Sequence, residues 1–288
     1  MKIANVDGRA ALLSADGRLI DVETWSGGEL PSDPMALLGR LPELRGKELL
    51  VPDDGPLLDG RTLGPPVPRP QKVLGAGINY RSHALEANFD VPALPSLFAK
   101  LPSAIAGPED DIVIPSGRHQ VDWEAEVVVV IGRRCKNVAK ADAWDCVAGL
   151  TGGQDISDRE EQFRDLRQFT MGKSYDTYAP IGPVLVTPDE LDDPDDIQLV
   201  CRLNGEEVQR ATTADCIFSV AQLVSWLSGV CTLEPGDLIF TGTPLGVGYI
   251  RTPPRFLAAG DVLETEIAAV GTMRNVCVDG DGAGVPCP

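Results

Sequence analysis

From Val127 to Ile131 the chain reads Val-Val-Val-Val-Ile without a polar residue, the pattern of a strand buried on both faces. Elsewhere the apolar positions fall in short runs separated by turn residues. Ala10–Leu13 and Leu19–Val22 flank Asp16-Gly17, which predicts a hairpin. Gln198–Leu203 and Glu206–Gln209 flank Asn204-Gly205, a two-residue turn whose residues both tolerate positive φ. Leu233–Thr241 reads as a turn, Pro235-Gly236-Asp237, followed by a strand. Two segments keep helical spacing. Trp144, Val147 and Ala148 predict a helix over roughly 141–149. Val220, Leu223, Val224 and Leu227 predict another over roughly 220–229, opened by a capping box of Ser219 and Gln222. Pro65, Pro66, Pro68 and Pro70 form a stiff connector. They place a boundary between a small N-terminal domain, residues 1–69, and a larger domain, residues 70–279, followed by a frayed tail, 280–288.

Composition narrows the class. The 288 residues are 43% hydrophobic and 24% charged, with Gly 30 and Pro 24, a globular profile. The net charge of −18 repels phosphate backbones and anionic lipid, so nucleic acid and membrane are poor partners. No apolar run approaches the roughly 18 residues of a transmembrane helix. The first residues, Met-Lys-Ile-Ala-Asn-Val-Asp, lack the apolar stretch of a secretory signal, and the expected location is cytoplasmic. The seven cysteines are odd in number, scattered and without a CxxC pair, and only two histidines accompany them. They are expected as reduced thiols rather than a disulfide framework or a zinc site.

The chemistry concentrates just before the buried run. In a strand, Asp122, Glu124 and Glu126 share one face. Three adjacent carboxylates raise one another's pKa unless a cation sits among them. An isolated DxExE is often a solvated edge; a strand that enters the core directly afterwards argues for a hard divalent cation instead. Asp155, after Gly152-Gly153-Gln154, is a weak third candidate, since such residues usually serve turns. His83 and Glu86 lie three apart, so on a helical turn the glutamate could orient the imidazole, although a surface ion pair fits the spacing equally. His119 has no comparable neighbour and reads as structural. Lys100 and Lys173 lie in apolar or glycine-containing contexts and could face an anionic ligand. Asp155, Arg159 and Gln162 are spaced along one helical face. Residues 240–248 lack the phosphate-loop pattern and read as a glycine-lined turn that a small ligand can approach.

Taken in order, these elements resemble the fumarylacetoacetate hydrolase family. They are GxNYxxHxxE at 77–86, Phe98-x-Lys100, DxExE at 122–126, Asp155-x-Ser157-x-Arg159-x-x-Gln162, Gly172-Lys173-Ser174-x-Asp176-Thr177, Pro180-x-Gly182-Pro183 and Thr241-Gly242-Thr243-Pro244-x-Gly246-Val247-Gly248. Gly271-Thr272-Met273-Arg274-Asn275 resembles the family's closing strand, and the resemblance covers about residues 70–279. It implies an α+β fold that is mainly β, a mixed β-sheet roll with a small N-terminal domain, and a homodimer. It implies Mg2+, or Mn2+ or Ca2+, on Glu124, Glu126 and Asp155, with Asp122 preceding the ligand pair without being a ligand. His83 and Glu86 match the lid dyad, and Arg159, Gln162, Lys173 and Thr243 the substrate and enolate contacts.

The activity this implies is metal-dependent C–C bond hydrolysis of a 2,4-diketo acid such as an acylpyruvate or fumarylpyruvate. His83, oriented by Glu86, would take a proton from water, and Lys173 and the cation would stabilise the enolate leaving group. The alternative is an oxaloacetate-type decarboxylase, a keto–enol tautomerase or a 2-hydroxyhepta-2,4-diene-1,7-dioate-type isomerase using the same enolate. A scaffold without turnover would have lost some of the polar groups, and none is missing. Phe163–Phe169 and Ala87–Pro95 are variable in the family and shape the pocket. The segment Ala84–Pro95, with few apolar anchors, is expected to be a lid.

Overall fold

The computed structural model of the protein describes residues 1–14, 16–44, 62–164 and 168–280. The expected tail falls almost wholly outside them. The buried run forms strand Ala125–Ile131, all of whose residues are buried. It lies inside the larger sheet, between Val147–Gln154 on one side and Leu238–Phe240 on the other, antiparallel to both. From there the sheet continues through Ala179–Val186 to Lys2–Val6, Arg9–Leu13 and Leu19–Asp21 at one edge, and through Val73–Ala76 to Leu97–Lys100 at the other. Leu238–Phe240 and Val73–Ala76 run parallel, so the sheet is mixed.

A second sheet of five strands orders Glu206–Thr212, Gln198–Leu203, Val262–Ile267, Gly271–Asp279 and Ile112–Ile114. It packs closely on the first. A Cβ added to Gly152 would come within 2.9 Å of Ile267 Cγ1, so that position of the central strand admits no side chain. The result is an α+β fold, mainly β, in the mixed-sheet roll form.

Both predicted hairpins form. Arg9–Leu13 pairs with Leu19–Asp21, and Gln198–Leu203 with Glu206–Thr212 across Asn204 at φ 54° and Gly205 at φ 80°. The helix Val220–Val230 starts at the capping box of Ser219 and Gln222 and buries Val220, Leu223, Val224 and Leu227. The helix expected over 141–149 is corrected. Lys140–Cys146 is a 3-10 helix, and Val147 begins the eight-residue strand Val147–Gln154, buried throughout. A strand buried on both faces has no polar alternation, so two apolar residues there mimic a helical stripe.

The cysteines 135, 146, 201, 216, 231 and 277 are free thiols, while Cys287 lies outside the described residues. Burial pushes the Cys201 thiol up to about 12, which keeps it protonated and unreactive at neutral pH. No helix among the described residues is long and apolar enough to cross a membrane.

Candidate metal and active centre

The carboxylate motif is not one continuous strand. Val121–Asp122 pairs with Ser157–Asp158, and Ala125–Ile131 starts anew after Trp123 and Glu124. Trp123 is wholly buried and donates its indole N–H to Gly246 O at 3.2 Å. The interruption separates the three acids. Glu124 and Glu126 converge with Asp155, one oxygen from each lying within 4.8 Å of the others. Asp122 turns to Arg159 instead, accepting from Nε at 3.0 Å and Nη2 at 2.7 Å, and its carboxylate also takes the Gly248 and Tyr249 backbone N–H groups. The shared face expected of Asp122, Glu124 and Glu126 is therefore corrected to a pair plus Asp155.

All three converging acids are buried. Glu126 Oε2 accepts the Gly242 N–H at 2.7 Å, while Oε1 has no hydrogen-bond partner. That Gly242 sits at φ +96° with its Cα against Asn79, where a Cβ would come within 2.8 Å of Asn79 Cβ. Burial, then repulsion from Asp155 and Glu124, pushes the Glu126 carboxyl well above the usual range. An acid in that condition, with a buried oxygen left unpaired, fits a divalent cation: its charge would reverse the shift and fill the vacant acceptor.

Two lysines complete the cluster. Lys173 Nζ donates to Glu124 Oε2 at 2.8 Å, Asp155 Oδ2 at 2.5 Å and Ser157 Oγ at 2.8 Å. Lys100 Nζ donates to Asp155 Oδ1 at 2.5 Å. Their environments push them apart. Burial lowers the Lys173 ammonium, but Asp155 and Glu124 outweigh it and raise it above the ordinary value. For Lys100 burial wins, aided by the charge of Lys173, and the ammonium is lowered. Burial pushes Glu124 up, yet Lys173, Arg159 and His83 overcome it and hold the carboxyl well below its usual range. Arg159 Nη2 reaches Glu124 Oε1 at 2.7 Å, and its Nη1 donates to Gln162 Oε1 at 2.8 Å.

His83 and Glu86 lie on the short helix Arg81–Glu86, with His83 Nδ1 3.4 Å from Glu86 Oε2. Glu86 is fixed by the turn after Phe240, its two oxygens accepting the Gly246 N–H at 3.0 and 3.1 Å. A charge on His83 acts on Glu124 in the direction that lowers its carboxyl. Thr243, expected as a substrate contact, has a hydroxyl that donates to Ala125 O at 2.9 Å and accepts from Gln209 Nε2 at 2.9 Å. Arg159 and Gln162 share the helix Arg159–Gln162, but Asp155 precedes it and lies off that face. His119 is exposed.

Residue spacing alone does not reveal the hydrogen bond from Lys173 to Ser157, the hold of Asp122 on Arg159, or Lys100 as a direct partner of Asp155. The apolar setting of Lys100 and the glycine-containing setting of Lys173 are the available signals among these.

The family described as Fumarylacetoacetate (FAA) hydrolase C-terminal matches residues 72–278. This chain belongs to the fumarylacetoacetate hydrolase family. A Rattus norvegicus protein named oxaloacetate tautomerase Fahd2a, mitochondrial, is 44% identical over 213 residues, covering 74% of this chain and 68% of its own length. The fumarylacetoacetate hydrolase of Exiguobacterium antarcticum superposes with a TM-score of 0.84 at 33% identity, covering 97% of this chain and 100% of that one. The maleylpyruvate hydrolase of Sphingobium sp. SYK-6, solved with manganese(II) and pyruvate, gives a TM-score of 0.79 at 29% identity over 98% and 100%.

The expected cytoplasmic location is overturned by these relatives, since the rat protein and its bovine and human counterparts are named mitochondrial. The lack of an apolar leader bears only on the secretory route; organelle transit peptides are amphipathic and carry no such stretch. Family membership and the buried acidic triad make the protein a metal-dependent enzyme of keto-acid chemistry.

Proposed function

We propose that the protein is a keto–enol tautomerase of 2-keto acids of the oxaloacetate class. The observation that carries this is sequence identity, 44% over the 213 matched residues of the oxaloacetate tautomerase against 33% and 29% over nearly the whole chain for the two hydrolases. A divalent cation held by Glu124, Glu126 and Asp155, with Mg2+ proposed and Mn2+ or Ca2+ as alternatives, would supply the Lewis acidity that makes the C3 hydrogens of such an acid labile. Lys173, kept charged by Asp155 and Glu124 and with its N–H groups given to Glu124, Asp155 and Ser157, would supply a fixed positive charge beside the oxygen on which negative charge develops. His83, with Nδ1 turned to Glu86, uses Nε2 to take up the C3 proton and return it. Arg159 and Gln162 orient the acid, Thr243 holds the wall through Ala125 and Gln209, and the active unit is a homodimer.

The His83–Glu86 pair also suits withdrawal of a proton from water, which keeps C–C hydrolysis of an acylpyruvate as the competing reading. Loss of the ultraviolet enol absorbance of oxaloacetate, followed with Mg2+, separates the two. Native protein should accelerate ketonisation and leave an acylpyruvate uncleaved, and His83→Gln should slow ketonisation by about 10²–10⁴-fold. Acylpyruvate cleavage with the oxaloacetate enol unaffected would establish the hydrolase instead.

A further inference from the structure

Four aromatic rings run along one side of the carboxylate cluster. Lys173 Nζ lies 4.9 Å from the centre of the Phe98 ring. Phe98 meets Phe169 edge-on with centroids 5.9 Å apart, and Phe169 meets Phe163 edge-on at 6.3 Å. Phe163 meets Tyr249 at 5.2 Å, and the Tyr249 ring lies 6.0 Å from the Arg159 guanidinium carbon. Lys173 and Arg159 each grip one oxygen of Glu124, at 2.8 and 2.7 Å. The rings thus form an arc whose two ends are the two cations on Glu124.

A cluster of rings is ordinarily core, and this one is not. Phe163 is 39% and Tyr249 43% exposed, and Phe98 and Phe169 are half-buried. The arc is an apolar face beside a polar centre, the composition of a small-molecule pocket. The cations along it are committed: Lys173 to Glu124 and Asp155, Arg159 to Asp122 and Glu124, and Arg164 to Glu161 at 3.4 Å. A flat apolar group on the substrate would meet the rings that lie between these cations.

Building on the reading that a 2-keto acid is enolised at the carboxylate cluster, we propose that this arc is the subsite for the group on C3. It takes an aryl or similarly flat apolar substituent, so the substrate class includes aryl-substituted 2-keto acids such as phenylpyruvate. The reaction needs no co-reactant. The C3–H bond breaks, an O–H bond forms on the C2 oxygen, and the new C2–C3 double bond conjugates with the aryl ring.

The test uses the full chain loaded with Mg2+. Tautomerisation of phenylpyruvate and of oxaloacetate is compared, and phenylpyruvate binding is measured by calorimetry, for native protein, Tyr249→Ala, Phe163→Ala and the conservative Tyr249→Phe. The ratio of kcat/KM for phenylpyruvate to that for oxaloacetate should fall about tenfold in each alanine variant, with phenylpyruvate affinity falling in parallel, and stay near native in Tyr249→Phe. Oxaloacetate turnover with phenylpyruvate binding indifferent to both rings overturns the arc and leaves the tautomerase reading intact. Ring-dependent phenylpyruvate binding without turnover of either acid supports the arc and overturns the tautomerase reading. Absence of both overturns both.

Discussion

Glu126 concentrates the electrostatic conflict of the site. It is wholly buried, its Oε1 is unpartnered, and Asp155 and Glu124 repel its charge. Glu126→Gln removes one acid from this group while keeping its shape and the acceptor for Gly242 N–H. The metal-free variant should therefore melt higher than metal-free native protein by about 2–4 °C, the scale that ~1 kcal/mol produces in a chain of this order. The rise in Tm that Mg2+ gives the native protein should disappear. A variant that Mg2+ still stabilises to the native extent would remove Glu126 from the metal site. Glu124 and Glu126 are legible in the sequence because they abut an apolar run, whereas Asp155, after glycines, is weak evidence by itself and joins them there only through the family resemblance. Asp122 groups with them there because alternation assumes an unbroken strand, and the break at Trp123 has no mark in the sequence. The aromatic arc is illegible, since Phe98, Phe163, Phe169 and Tyr249 meet only once four segments have packed.

At the scale of elements, the helix Arg81–Glu86 is held at both ends. Ser82 N–H donates to Asp215 Oδ2 at 3.0 Å, Arg81 reaches the backbone oxygens of Asp215 and Cys216, and Glu86 takes the Gly246 N–H. After Phe89, whose N–H still bonds to Ala84 O at 2.9 Å, the chain buries little apolar surface: Phe89, Val91 and Leu94 are 59%, 55% and 59% exposed. Residues 87–95 should exchange amide hydrogens faster than strand Ala125–Ile131 in the ligand-free protein, because little apolar surface is lost when they open. Equal protection of the two segments would contradict a lid. The hairpins and the capped helix Val220–Val230 can be read from the sequence because turn and cap residues act on their immediate neighbours. Val147–Gln154 cannot, because its environment is supplied by Ala125–Ile131 and Ala179–Val186 on either side.

At the scale of the whole molecule, the order of strands assembles the site. Antiparallel pairing of Ala125–Ile131 with Val147–Gln154 sets Glu126 opposite Gly153 and brings Asp155 to Glu124, whose backbone oxygen accepts the Asp155 N–H at 2.9 Å. The edge strand Leu97–Lys100 delivers Lys100 and Phe98, and the turn after Leu238–Phe240 delivers the N–H groups that hold Glu126, Glu86 and Asp122. The fold thus gathers buried acids and a charged lysine at one place, the groups on which the proposed transfer of a proton between carbon and oxygen depends. Proton magnetic resonance of oxaloacetate in deuterated water, with Mg2+ and protein, tests this most directly. The account predicts that deuterium enters C3 faster with native protein than with Mg2+ alone, while all four carbons stay in one molecule and His83→Gln loses the acceleration. Exchange at C3 no faster than the Mg2+ blank, with fragments accumulating from an acylpyruvate under the same conditions, would contradict it.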